Sequence, residues 1–245
     1  MAPINFGEHP SCIEVCIRHH AGDCRRPVII GLPGYGSGLF NLKEGLLGFS
    51  PLRSAPFIGI EPFPVRSVSG VKSAVHLEHL QITFALATRA IREAIVQART
   101  LYPDSKVYVV GMSFGALAIS SHLNLEPQDA SLADGYVPIQ GGSFYQTFTN
   151  AHYQAMMDDP GFIGHSAWTN KTAFPEQRPL PNERAQLVHA VVNPGDEVTH
   201  GQEEVWRGCQ MTSIRGARVG SIPSHLVAPV FHTPQIRRVL VAMAR

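Results

Sequence analysis

The stretch Gly111-Met112-Ser113-Phe114-Gly115 constrains this chain more than any other, because of what stands on either side of it. Before it, Lys106-Val107-Tyr108-Val109-Val110 is short, apolar and β-branched, which predicts a buried strand. After it, Ala116-Leu117-Ala118-Ile119 with Leu123 is apolar at helical spacing. A strand that turns abruptly into a helix leaves no room for a Cβ at either glycine. The serine between them is then held on a tight turn with its hydroxyl directed into a cleft. The five-residue pattern alone says little, since glycine and serine are common, and an ordinary β–α turn is the alternative. The flanking elements favour a nucleophile.

The rest of the chain alternates in the same way. Residues 12–18 read as an early strand followed by a turn at Ala21-Gly22-Asp23. Pro27-Val28-Ile29-Ile30-Gly31 is a strand running into the glycine-rich loop Leu32–Gly38, and Phe57-Ile58-Gly59-Ile60 is another, stopped by Glu61-Pro62-Phe63-Pro64. A long helix is predicted from Ser73 to Tyr102, with Val75, Leu77, Leu80, Phe84, Ala87, Ile91 and Ile95 forming a core-facing stripe. Further strands are expected near Gly135–Ile139, Gln186–Val192 and Ala217–Ile222, and a closing helix over Pro234–Met243. The pattern predicts an α/β fold: a mainly parallel central sheet flanked by helices on both faces, in a single domain spanning 1–245. In such sheets ligands sit beyond the carboxyl ends of the strands, where every motif singled out here falls.

Composition excludes several alternatives. With 44% hydrophobic and 16% charged residues the chain is globular, and its net charge of +1 speaks against a nucleic-acid partner held by long-range electrostatics. The basic pairs Arg25-Arg26 and Arg237-Arg238 are too short to make a patch. No signal-peptide pattern and no membrane-spanning apolar run is visible, so a cytoplasmic protein is expected. Cys12, Cys16 and Cys24 crowd around His19 and His20, which raises zinc binding. The spacing matches no usual zinc knuckle, and Cys12, Glu14 and Cys16 alternate with Ile13, Val15 and Ile17, so buried or half-buried strand cysteines are expected. His76 and His79, one turn apart without an evident third ligand, read as helix-surface histidines.

A serine hydroxyl needs a base to take its proton, and the base needs an acid to hold its tautomer. Val191-Val192-Asn193-Pro194-Gly195-Asp196-Glu197-Val198 is a strand end followed by a turn carrying carboxylates; Asp196 is the expected acid and Glu197 the fallback. The plainer reading is that these acids decorate a polar turn or cap a helix beginning near Thr199. Two histidines follow the expected last strand. His225 comes soon after Ile222, whereas His232 abuts the closing helix, and the shorter tether favours His225.

The order Ser113, Asp196, His225 resembles that of the α/β-hydrolase superfamily, over nearly the whole length from Val28 to the final helix. The resemblance implies a serine hydrolase with that triad and an oxyanion hole formed by the backbone N–H groups of Tyr35 and Phe114. It implies no cofactor and no metal. Two positions depart from the pattern of many members: Pro33-Gly34 stands where they carry His-Gly, and Glu61-Pro62 stands where they carry an aspartate. Both leave the triad intact.

Residues from about 140 to 182 fall where the superfamily commonly inserts a small lid. Phe144, Tyr145, Phe148, Tyr153, Met156, Met157, Phe162 and Trp168 would suit a cover over an apolar acyl group, or equally the packing of two short helices onto the sheet. The expected activity is hydrolysis of a small-molecule carboxylic ester or thioester of small to medium apolar acyl chain through an acyl-enzyme. An acyltransferase, lactonase or amidase using the same triad is the first alternative, and a non-catalytic relative that binds a ligand or partner is the second. The sequence leaves the oligomeric state open.

Overall fold

The computed structural model describes residues 16–34, 42–48, 51–61, 77–125, 132–141, 179–196, 199, 201–216 and 232–243. Among them are seven strands: β1 (Cys16–His20), β2 (Val28–Leu32), β3 (Phe57–Glu61), β4 (Val107–Met112), β5 (Gly135–Ile139), β6 (His189–Val192) and β7 (Gln210–Ser213). They form one sheet in the order β1-β3-β2-β4-β5-β6-β7. Only the β1–β3 pair is antiparallel, with Cys16 opposite Glu61 and His20 opposite Phe57; every other pair is parallel. The helices are α1 (Leu77–Leu101), α2 (Phe114–Leu125), α3 (Asn182–Ala185), α4 (Gln202–Val205) and α5 (Thr233–Met243), with one π-helical turn at Lys43–Leu47. No helix among the described residues is long and apolar enough to cross a membrane.

Strand periodicity sends alternate residues to opposite faces. Val28, Ile30 and Leu32 of β2, with Ile58, Ile60, Val107 and Val109, pack beneath α1 and α2. Ile29, Phe57, Tyr108, Val110, Val137, Ile139 and Val191 face the other way, against Ile236, Val239 and Leu240 of α5. Because both faces are covered, β2, β3 and β5 are buried at every residue, which is why they read as continuous apolar runs. In α1 the buried stripe is Ala87, Ala90, Ile91, Ala94, Ile95 and Ala98. Its alanines let the helix lie close to the sheet. Helix α2 has no comparable polar side: Ala116, Leu117, Ala118, Ile119, Ser120, Ser121 and His122 are all buried, as expected of a helix enclosed between the sheet and α1.

The structure differs from the sequence reading in two places. Cys24 is exposed in the turn after β1 and not buried on a strand, because the chain has already left the sheet; His19 meanwhile is hydrogen-bonded to the Tyr102 hydroxyl at 2.8 Å. The strand after β6 is Gln210–Ser213, a largely exposed edge strand with no apolar run to announce it. The strand expected at 217–222, Cys12, His76, the side chain of His79 and nearly all of the 140–182 segment lie outside the described residues.

Candidate active site

Ser113 stands between the end of β4 and the first turn of α2 with φ of 52°. A non-glycine residue in that left-handed region costs on the order of 1–3 kcal/mol and persists only where its surroundings hold it. Here the Ser113 N–H donates to the Ile139 carbonyl at 2.8 Å, and its own carbonyl accepts from Leu117 N–H at 3.1 Å. The flanking glycines are sterically required. A Cβ on Gly111 would lie 2.5 Å from the Gly115 carbonyl group, and one on Gly115 would lie 2.4 Å from the Leu32 carbonyl oxygen. The second contact also shows that the elbow is pressed against the end of β2, where the Pro33-Gly34 loop departs. Ser113 is 8% exposed, and Phe114, buried, opens α2 with the positive end of the helix at the serine.

The turn after β6 carries Asp196, only 2% exposed. Its Oδ1 accepts from Thr199 N–H at 3.1 Å, and its Oδ2 from Gln202 Nε2 at 2.9 Å. The single proton of the Thr199 hydroxyl is within reach of both Asp196 Oδ2 (2.9 Å) and the Gln140 carbonyl (3.1 Å). Gln202 in turn accepts the Asn193 N–H through Oε1 at 2.9 Å. The capping alternative is thus partly realised, since Asp196 does satisfy the Thr199 N–H; α4, however, begins at Gln202 and its N-cap position is Gly201.

Between these two strand ends lies a residue that sequence reading passed over. Gln140 follows β5 with φ of 51°, donates its N–H to Val191 O at 2.8 Å and accepts the Thr199 hydroxyl. Three neighbouring strands therefore end in Ser113, Gln140 and Asp196, tied edge to edge by backbone and hydroxyl bonds. The side chain of Gln140 is fully buried, and among the described residues neither Oε1 nor Nε2 has a hydrogen-bond partner. An orphaned buried amide costs about 1–3 kcal/mol. Gln140→Met, of similar volume, is expected to raise Tm by roughly 2–4 °C per kcal/mol recovered, read by scanning calorimetry; a lower Tm would mean the amide is satisfied in solution. The only sequence hint was the glycine pair that follows it.

Of the other candidate residues, His225, Tyr35 and Glu197 lie outside the described residues. His232 is described and is otherwise engaged: Nε2 donates to the Arg215 carbonyl at 2.7 Å and Nδ1 meets the Gln235 carboxamide, so the ring braces the start of α5. Cys209 is half-buried, and burial pushes its thiol up to about 11, so it stays protonated near neutrality. Among the described residues no group of three or more His, Cys, Asp or Glu side chains is placed to hold a metal ion.

No family model and no curated protein sequence matches the chain. Solved structures do. The chain is similar to the type II thioesterase BorB from the borrelidin biosynthetic cluster at 14% identity and a TM-score of 0.56, covering 94% of this chain and 96% of that one. It is similar to YbtT, a type II thioesterase from the yersiniabactin biosynthetic pathway, at 13% identity and a TM-score of 0.54, covering 93% and 96%. A carboxylesterase structure from the ammonia-oxidising thaumarchaeon Nitrososphaera gargenis matches at 13% identity and a TM-score of 0.52, covering 98% and 97%.

Proposed function

We propose that this chain, whose fold is that of the α/β-hydrolases, is a serine hydrolase acting on a carboxylic ester or thioester. The observation that carries the reading is the hydroxyl of Ser113 on a strained, glycine-flanked turn at the N-terminus of α2. The buried carboxylate of Asp196 two strands away supports it. Two strand spacings amount to roughly 10 Å, too far for a direct hydrogen bond and suited to an intervening imidazole.

In this mechanism Ser113 Oγ attacks the acyl carbon while His225 takes its proton. Asp196 holds the imidazole in the required tautomer and stabilises the imidazolium. The N–H groups of Phe114 and Tyr35 stabilise the tetrahedral oxyanion, each worth about 2.7–4 kcal/mol in such sites. His225 then protonates the leaving alcohol or thiol, and water, activated by the same histidine, releases the acid from the acyl-serine. An apolar acyl group of small to medium length is the proposed substrate class.

Labelling with a fluorophosphonate probe, read by intact mass, tests this. The wild-type protein is expected to gain one adduct, and Ser113→Ala and His225→Ala are expected to lose it. Labelling that survives in His225→Ala and vanishes in His232→Ala would replace the base. A wild-type protein that takes no adduct would overturn the reading in favour of a binding role.

A further inference from the structure

We infer that Gln202 and Thr199 are positioning residues for the acid, acting on Asp196 and through it on the base; this rests on the serine-hydrolase reading. A carboxylate carried on a turn rotates about its own side-chain bonds unless both oxygens are held. Here they are held separately: Oδ1 by Thr199 N–H, and Oδ2 by Gln202 Nε2 with the Thr199 hydroxyl beside it. Gln202 is buried and uses both ends of its amide, so it pins the carboxylate to the Asn193 N–H at the end of β6. Thr199 adds a link to the end of β5 through the Gln140 carbonyl.

These donors are neutral. They fix the carboxylate plane without cancelling the negative charge that the imidazolium needs, as a lysine or arginine in their place would. Among the described residues, the charged groups on this side are Glu203 and Glu204 of α4 and Arg207 after it, which line the same cleft of about 390 Å³ as Thr199 and Gln202; Arg207 lies 3.4 Å from Glu204. The ends of β5 and β6 contribute the neutral Gln140 and Asn193. Glu197, His200 and His225 belong to segments outside the described residues.

The test is the rate constant for fluorophosphonate modification of Ser113, measured from about pH 5 to about pH 10, with melting temperatures alongside. Gln202→Leu and Thr199→Val are expected to slow the reaction roughly 10–100-fold, as a small misplacement of a catalytic group does. Thr199→Ser, which keeps the hydroxyl, is expected to recover most of that loss. Gln202→Glu sets a second carboxyl 2.9 Å from Asp196 Oδ2 in place of the amide. Two such carboxyls share one proton, so the rate in this variant is expected to fall as pH rises through the second ionisation, giving a descending limb that the wild type lacks. If Gln202→Leu does not fold, the isosteric Gln202→Glu and Thr199→Val decide the matter.

Wild-type rates and pH profiles in all four variants, with Asp196→Asn slow, would overturn the positioning role and leave a purely structural turn, whatever happens to Tm. Absence of wild-type labelling would overturn the serine-hydrolase reading and this inference with it, whereas wild-type labelling rates in Asp196→Asn would exclude Asp196 as the acid and overturn this inference alone.

Discussion

Asp196→Asn is expected to lower kcat by roughly four orders of magnitude on any ester the wild-type protein hydrolyses, with much less effect on KM. The loss comes from the tautomer: an amide N–H turned toward the base favours an imidazole whose acceptor nitrogen faces the wrong way. The carboxamide also fits its own site poorly. With its nitrogen at the Oδ1 position it meets the Thr199 N–H, and with its nitrogen at the Oδ2 position it meets Gln202 Nε2. Either way a donor faces a donor, which costs about 1–3 kcal/mol of stability in a buried site. Circular dichroism beside steady-state kinetics separates the two effects. A folded variant that keeps its kcat would exclude Asp196 as the acid and pass the role to Glu197.

The second large effect belongs to the elbow. Gly115→Ala is expected to destabilise the protein by about 3 kcal/mol and to abolish labelling of Ser113. Its new Cβ would stand 2.4 Å from Leu32 O and 2.7 Å from Leu32 Cβ. Leu32 closes β2, which is paired with β3 on one side and β4 on the other, so its backbone has nowhere to move. Neither does the glycine, since α2 is packed against the sheet and α1. At roughly 2–4 °C per kcal/mol the change amounts to a Tm lower by about 10 °C. Gly45→Ala is the matched control, because a Cβ there meets nothing within 4 Å, and its Tm is expected to stay close to that of the wild type. A Gly115→Ala protein that melts with the wild type would show that the contact is relieved by a shift of the helix.

The strands were legible where burial is complete. Val28-Ile29-Ile30 and Val107-Tyr108-Val109-Val110 are covered on both faces, and continuous apolar runs are what such strands require. Helix α1 was legible for the complementary reason: one face meets the core and its stripe repeats at helical spacing. Strand β7 was not. Gln210, Met211 and Ser213 are exposed, so no hydrophobic pattern is demanded of them, and the strand exists because β6 offers it a ladder from His189–Gln210 to Val192–Ser213.

Neighbouring residues are enough to specify the local pieces: a strand, a serine between two glycines and a helix, and an aspartate on the turn after a later strand. Each is written in neighbouring residues, since steric limits at a tight turn and the period of a half-buried helix act over a few positions. What ties Ser113 and the turn of Asp196 in place comes from distant parts of the chain. The Ser113 N–H is satisfied by Ile139 on the next strand, and the Thr199 hydroxyl beside Asp196 reaches Gln140 across 59 residues of chain. Such partners are chosen by which strand ends lie side by side, and that order, β4-β5-β6, is set by the packing of the whole sheet and by no local pattern.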